Sequence, residues 1–224
     1  METKQIKTSR IKADYTKKTI CRSLTYNSIY INPRRLTSGN TKLYKILIFD
    51  LPAGKSCLNC SSCASRCYAK KAEAQYPYTK MFRATNFHLV KNNLKFLKSI
   101  LVEQLSKTSI PTVRIHASGD FYSQEYVDMW NSIISSFPTI NFYAYTKVDK
   151  ILNFEVITEN KNFNLIPSLI NDKVLNFGSI EYCEELKEKY GSFICPVTNG
   201  YHDIMCGKGC DYCIANKNVC FVEH

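Results

Sequence analysis

Four cysteines stand within eleven residues of this chain: Cys57, Cys60, Cys63 and Cys67. Spacings of two, two and three residues place four sulfurs on one short loop, where they can converge on a compact inorganic core. The same spacing holds iron–sulfur clusters in bacterial ferredoxins. Zinc is the main alternative, although four-cysteine zinc sites usually combine two distant pairs. The run therefore predicts a metal site, with an iron–sulfur cluster favoured over zinc.

A second group of cysteines lies near the C-terminus: Cys195, Cys206, Cys210, Cys213 and Cys220. Cys206, Cys210 and Cys213 are separated by three and then two residues. This spacing resembles that of radical S-adenosylmethionine enzymes, in which three cysteines hold three irons of a [4Fe–4S] cluster. Gly207 and Gly209 suit a backbone that wraps tightly around an anion. The fourth ligand is Cys195 or Cys220. Cys195 is favoured because Pro196 fixes the chain locally and removes a competing donor.

Eleven cysteines in 224 residues would suggest disulfides in a secreted protein, but clustered cysteines in a reducing compartment indicate metal or redox chemistry. The segment from Met1 to Lys18 is polar and charged, and no apolar run approaches the length of a membrane helix. We therefore expect a cytoplasmic protein, in the host cytoplasm if it is phage-encoded, with no membrane partner. Cys21 and Cys183 lie outside both groups and are interpreted as buried thiols.

Basic residues are concentrated at the N-terminus. The first 35 positions hold nine Lys or Arg residues and two acidic ones, which gives +7 of the formal net charge of +11. Such a segment can neutralise the phosphates of a nucleic acid. We interpret residues 1–40 as a basic arm that contacts nucleic acid, and a solvated tail is the alternative.

From residue 43 onward, short apolar β-rich runs alternate with helical patterns, which is typical of βα units and a parallel sheet. Predicted strands span residues 43–49, 111–117, 140–145, 163–170, 174–177 and 192–197. Predicted helices span 86–105, 123–137, 148–158 and 180–190, with a further helical stretch before 86. About six units of this kind predict an α/β fold, a partial (β/α)6-type barrel over residues 41–198, followed by a cysteine-rich segment over 199–224.

Polar and cysteine-containing segments follow several of the predicted strands. The first cysteine group follows the first strand, Ser118-Gly119-Asp120 follows the second, Thr146-Lys147 follows the third, and Cys195 begins the exit from the last. Ligands of parallel α/β sheets and barrels bind at the carboxyl ends of the strands. We therefore expect all these residues to meet at one C-terminal mouth.

Four segments carry a resemblance to a known family: LPAGKSCLNCSSCASRCYA, VRIHASGDFYSQEYVDMW, NFYAYTK and ICPV…CGKGCDYC. Together they resemble the phage gene-product-eighty-eight family, over nearly all of the chain from about residue 45. That family carries no established activity. The segments are also similar to radical-S-adenosylmethionine-like phage proteins, in which a cysteine is followed by Tyr-Ala, as at Cys67-Tyr68-Ala69.

The radical-enzyme resemblance implies a fold of that type, with S-adenosylmethionine held by Ser118, Gly119 and Asp120 at the end of the second strand. Asp120 and Lys147 are then the candidate catalytic residues. Two departures stand against this resemblance. Cys60, Cys63 and Cys67 are separated by two and then three residues, whereas the radical enzymes have three and then two. Cys57 could also bind the fourth iron, which the enzymes leave open for the cofactor. Asp120 could otherwise cap the next helix, and Lys147 could be a solvated lysine.

Two functions from different classes follow. The first is a radical-S-adenosylmethionine-like redox enzyme with one or two [4Fe–4S] clusters, acting on nucleic acid. The second is a non-catalytic iron–sulfur or zinc protein that binds nucleic acid. Binding of S-adenosylmethionine discriminates them, because only the enzyme needs an open iron.

Overall fold

The computed structural model describes residues 34–39, 42–60, 64–65, 67–148, 151–170, 174–175, 177–201, 203–216 and 218–222. Residues 1–33 of the predicted basic arm lie outside this part of the chain, and so does the predicted ligand Cys63. The arm and its contact with nucleic acid stay predictions.

Strands and helices alternate along the described residues. The strands are β1 Thr37–Ser38, β2 Leu47–Phe49, β3 Thr112–Ile115, β4 Asn141–Thr146, β5 Phe163–Pro167, β6 Leu169–Ile170, β7 Val174–Leu175, β8 Phe177–Gly178, β9 Phe193–Ile194, β10 Met205–Cys206, β11 Gly209–Cys210 and β12 Val219–Val222. The helices are α1 Tyr68–Gln75, α2 Pro77–Asn92, α3 Leu94–Ser106, α4 Gln124–Ser136, α5 Glu155–Thr158, α6 Ile180–Tyr190 and α7 Tyr212–Ala215.

The central sheet has the strand order β1-β2-β3-β4-β5. Strand β1 pairs antiparallel with β2, and β2 to β5 are parallel to one another. Each parallel connection passes through helix: α1 to α3 join β2 to β3, α4 joins β3 to β4, and α5 joins β4 to β5. The predicted α/β class with a parallel sheet is therefore confirmed.

One face of the sheet is covered by helix. Because side chains alternate along a strand, Leu47 and Phe49 point to the face opposite Ile48. Phe49 packs edge-on against Trp130 of α4, with ring centroids 5.5 Å apart. Trp130, Ile133 and Ile134 are all fully buried in this layer. The helical period predicted for residues 123–137 therefore faces the sheet as expected.

The opposite face is covered by the C-terminal segment. Ile48, Tyr143 and Ile166 pack in one cluster with Cys195 and Val219. Polar side chains on this face bind the incoming backbone: Asn164 Nδ2 donates to the carbonyls of Cys213 at 2.9 Å and Asn216 at 3.0 Å. These contacts fix the second cysteine group against the sheet.

Three sequence predictions differ from the structure. The helix predicted over 86–105 is divided at Asn93, which leaves helical geometry and accepts a hydrogen bond from the amide of Phe96, so that it begins α3. The helix predicted over 148–158 is described only at Glu155–Thr158. The predicted last strand is reduced to β9, which pairs with β12 in a separate three-stranded sheet.

The pairing of β9 with β12 decides whether the predicted barrel continues past β5. Strands β8, β12 and β9 form their own sheet and do not extend β5, so no six-unit barrel is closed within the described residues. The helix predicted over 180–190 is confirmed at the same bounds, and Gly191 ends it in the left-handed conformation. No helix in the described ranges combines the length and apolarity needed to cross a membrane.

Candidate functional site: two cysteine groups on opposite parts of one sheet

The loop that carries the first cysteine group lies at the carboxyl ends of β3 and β4. Leu51 N donates to the carbonyl of Ser118 at 3.0 Å, and Asn59 Nδ2 donates to the carbonyl of Lys147 at 3.1 Å. Cys57, Cys60 and Cys67 are half-buried on this loop. The structure therefore brings the first group and the two polar strand ends together, as the topology predicts.

Gly119 makes the contact between this loop and β3 possible. Its φ of +83° is a left-handed value, and a Cβ there would lie 2.5 Å from Ser56 Oγ and 2.6 Å from Leu51 Cβ. Position 119 therefore requires glycine because the loop that carries the first cysteine group approaches it closely. Ser118 is 3 % exposed, and its hydroxyl has no partner within the described residues.

Asp120 joins the ends of two strands. Its Oδ1 accepts from Phe121 N and from Thr146 Oγ1, both at 2.8 Å, and its Oδ2 accepts from Lys147 N at 2.9 Å. The helix-cap interpretation of Asp120 is wrong, because Ser123 accepts the capping bond of α4. Burial raises the pKa of Asp120 to about 6, against the opposing effect of these three donors.

Asp120→Asn is expected to destabilise the fold by about 1–3 kcal/mol at pH 7, because an amide nitrogen would then face the N–H of Lys147. Because its folded pKa is raised, Asp120 adds stability below pH 3.8 that is lost as the pH rises to about 6, and the variant lacks this slope. Urea unfolding at pH 5 and pH 7 measures both effects. Asp128→Asn, at an exposed position of α4, is the control. Equal losses in the two variants would show that Asp120 does not hold the strand ends.

A buried polar network supports this edge of the sheet, and the sequence analysis missed it. Asp50, directly after β2, accepts from the amides of Ala117 and Ser118 at 2.8 and 2.9 Å. Its other oxygen accepts from Arg83 Nε at 3.2 Å and Nη2 at 2.9 Å. Arg83 also contacts Glu73 at 3.3 Å. An acid after a strand and an arginine among the apolar positions of a helix were the available signals.

The second cysteine group encloses a cavity on the sheet face opposite α4. Cys195, Cys206, Cys210 and Cys213 all line it. The cavity has a volume of about 20 Å³, and its walls include Ile46, Tyr143 and Val219. The rings of Phe193 and Tyr212 also contribute, and they are stacked with centroids 4.1 Å apart. Four thiols therefore share one largely apolar enclosure.

This cavity does not lie at the predicted mouth. Tyr44 N donates to the carbonyl of Cys206 at 2.8 Å, and Cys206 N donates to the carbonyl of Lys42 at 3.0 Å. Both bonds fix Cys206 to the segment before β2, at the amino end of that strand. The expectation of one common edge is thus wrong for Cys206, because the C-terminal segment packs across the sheet face.

The thiols of the cavity disfavour the charged form in one another. Burial raises the pKa of Cys206 to about 11, and the neighbouring Cys195 raises it further. Burial also raises the pKa of Cys213 to about 12, although a hydrogen bond from Tyr145 opposes this. Arg114 acts against the rise at both thiols. Its guanidinium lies 5.0 Å from the Tyr145 ring centre.

Cys220 is separated from the cavity thiols. It forms a disulfide with Cys183, and both side chains are fully buried between α6 and β12. The interpretation of Cys183 as a lone buried thiol is therefore wrong. Cys195 adjoins this pair, because its amide donates to the carbonyl of Cys220 at 2.9 Å, yet its side chain lines the cavity. Of the two candidate fourth ligands, Cys195 is the one placed with Cys206, Cys210 and Cys213.

Comparison with known proteins covers most of the chain. The family described as Gene product 88 matches residues 14–208, a range that includes the first cysteine group and the polar strand ends. The chain belongs to the Gene product 88 family. Among its relatives, the Gene 88 protein of Mycobacterium phage L5 is 25% identical over 227 residues, covering 85% of this chain and 95% of the relative. The Gene 88 protein of Mycobacterium phage D29 is 28% identical over 162 residues, covering 64% and 68%.

No solved structure matches this Gene product 88 family member. The names of the two mycobacteriophage relatives state no cofactor, substrate or activity. The chemistry of the site therefore has to be argued from its residues.

The four thiols that line the cavity are chemically suited to bind a metal as thiolates. Four cysteines are the ligand set of both iron–sulfur clusters and structural zinc sites. In the described ranges, however, no group of three or more His, Cys, Asp or Glu side chains is arranged to hold a metal ion. A volume of about 20 Å³ is also little more than a single water molecule needs. Binding would therefore displace the thiol protons and rearrange the four sulfurs around the metal.

Proposed function

We propose that this Gene product 88 family member is an iron–sulfur protein. Cys195, Cys206, Cys210 and Cys213 would hold one [4Fe–4S] cluster, and Cys57, Cys60, Cys63 and Cys67 would hold a second. The observation that carries the proposal is that four cysteines, two of them more than ten residues apart in the chain, line one largely apolar cavity. When bound, such clusters supply one-electron transfer.

We further propose a radical-S-adenosylmethionine-like redox enzyme that acts on nucleic acid, built on a partial barrel. The sequential order of β2 to β5, with a cysteine loop after the first parallel strand, supports this topology. S-adenosylmethionine would contact Ser118 and Gly119, where a buried hydroxyl has no protein partner among the described residues. Asp120 has one oxygen with a single donor, which leaves it one further acceptor position for an ammonium group.

A non-catalytic zinc protein that binds nucleic acid is the second candidate. The observation that favours it is the small volume of the cysteine cavity, about 20 Å³, because one ion needs less rearrangement than a four-iron core. Four tetrahedral zinc–sulfur bonds of about 2.3 Å would place the four sulfurs around a single ion. In that case the second group would only stabilise the fold.

Anaerobic purification with analysis of iron, acid-labile sulfide and zinc separates the two candidates. The iron–sulfur proposal expects brown protein, with about four irons and four sulfides for each occupied group. Stoichiometric zinc without sulfide, in protein never exposed to air, would contradict it. Calorimetric titration of the reduced, iron-loaded protein with S-adenosylmethionine then tests the enzyme proposal, and absence of binding would exclude it.

A further inference from the structure

Beyond the proposed metal chemistry, the structure presents one exposed surface of tyrosines and lysines beside the first cysteine loop. This tyrosine–lysine surface consists of six residues on α1, on the start of α2 and at the junction between them: Tyr68, Lys70, Lys71, Tyr76, Tyr78 and Lys80. Its three tyrosines are 62 %, 53 % and 75 % exposed, in chain order. The three lysines are exposed as well.

One ring of this surface, that of Tyr68, is held in place by a hydrogen bond. The Tyr68 hydroxyl donates to the carbonyl of Ala117 at the end of β3, so its ring is fixed while most of it faces solvent. Tyr76 N donates to the carbonyl of Ala72 at 2.8 Å, and Pro77 begins α2 directly after it. Rings that are fixed before a ligand arrives lose little conformational freedom on binding.

The charge of this surface is strongly positive. Residues 51–92 contain seven Lys or Arg residues and a single acid, Glu73. Glu73 is removed from the surface, because its side chain is only 12% exposed, contacts Arg83 and accepts from Ala53 N at 2.8 Å. The exposed lysines beside the tyrosines therefore have no exposed acidic residue from this segment to neutralise them.

Exposed aromatic rings, together with lysines that no exposed acid of this segment neutralises, are the features that bind single-stranded nucleic acid. Bases of a single strand stack on aromatic side chains, and lysines follow the phosphates. A duplex offers no free base faces to such rings. A protein partner fits less well, because lysine is depleted at the centres of protein interfaces.

We propose that the tyrosine–lysine surface binds single-stranded DNA or RNA, with bases stacked on Tyr76 and Tyr78 and phosphates bound by Lys70, Lys71 and Lys80. The inference needs no metal in either cysteine group. Because Tyr68 directly follows Cys67 and is bonded to the end of β3, a strand on this surface lies beside the first cysteine loop.

The test uses the full-length protein and a labelled single strand of about 16 nucleotides, followed by fluorescence anisotropy. The double variant Tyr76→Ala/Tyr78→Ala is expected to bind about thirtyfold more weakly or worse, since stacking on each of the two rings contributes about 1–3 kcal/mol. Tyr76→Phe/Tyr78→Phe keeps the rings and should bind like wild type. Tyr201→Ala, at a residue 59 % exposed elsewhere, is the matched control. The N-terminal arm is present in every variant, so the differences report on this surface.

Salt dependence tests the lysines. Lys70→Gln/Lys71→Gln/Lys80→Gln should flatten the slope of log affinity against log salt by roughly 0.7 for each phosphate that the protein no longer neutralises. Lys161→Gln, also exposed, should leave the slope unchanged. DNA and RNA strands of one sequence show which nucleic acid is preferred, and the duplex should be insensitive to the tyrosine changes.

Three outcomes would overturn the proposal. In the first, wild type binds neither single strand at low salt. In the second, the Tyr76→Ala/Tyr78→Ala variant binds with the same affinity as Tyr201→Ala. In the third, polyglutamate, which has charge but no bases, competes as well as a single strand does. Metal content is measured in every variant. If single strands do not bind this surface while the metal content is normal, the iron–sulfur proposal stays intact. If the protein holds zinc in place of iron while single strands bind normally, the iron–sulfur proposal fails and the binding surface stays intact.

Discussion

Cys206→Ala, Cys210→Ala and Cys213→Ala are each expected to remove completely the metal that we propose for the C-terminal group. Each change leaves three thiols around a cavity that four now line. Bound metal stabilises only the folded state, and structural four-ligand sites contribute about 10 kcal/mol or more of binding free energy. We therefore expect a larger loss of stability than any single apolar truncation causes. Metal analysis and urea unfolding of protein purified anaerobically measure both effects.

Cys220→Ala is the matched control for these variants. It removes a sulfur from the same segment, but that sulfur is bonded to Cys183 and does not line the cavity. Under reducing conditions its metal content should equal that of wild type, whereas Cys195→Ala should behave like Cys210→Ala. Loss of metal in Cys220→Ala with retention in Cys195→Ala would assign the fourth ligand to Cys220 and contradict the arrangement of the cavity.

Local patterns in the sequence predicted the regular elements well. The helix over 180–190 was recognisable because Gly191 ends it and its apolar residues repeat with a helical period. The parallel strands followed from short apolar runs between helices. The break at Asn93 was not recognised, because the apolar repeat of Val90, Leu94 and Leu97 continues across it while the Asn93 side chain begins a new helix.

The position of the second cysteine group could not be obtained in the same way. Spacing alone showed that Cys206, Cys210 and Cys213 form a group, but their place depends on contacts between distant parts of the chain. Asn164 holds the carbonyl of Cys213 from 49 residues away, and Lys42 holds the amide of Cys206. Such contacts leave no periodic signal. The pairing of Cys183 with Cys220, 37 residues apart, was missed for the same reason.

Arg83→Met is expected to destabilise the fold by about 3–5 kcal/mol, the cost of breaking a buried ion pair by removing one partner. The Arg83 side chain is 7% exposed and binds Asp50, Glu73 and the carbonyl of Ala69. Without it, two carboxylates at 14% and 12% exposure lose their cation. Asp50 would keep the amides of Ala117 and Ser118, which do not replace a full positive charge. Urea unfolding at pH 7 measures the loss.

Lys107→Met is the matched control, because it removes a lysine from an ion pair whose partners are 71% and 64% exposed. Solvent screens exposed pairs of this kind, so they contribute little to stability and the control should unfold almost like wild type. A loss in Arg83→Met no larger than in Lys107→Met would show that the strand end after β2 does not depend on Arg83. Because Arg83 holds α2 against Asp50, and Asp50 holds the amides after β3, a large loss would instead mean that this pair positions the edge to which the first cysteine loop is bonded. The metal that we propose for the C-terminal group, on the sheet face opposite α4, should stay bound in the folded fraction of Arg83→Met.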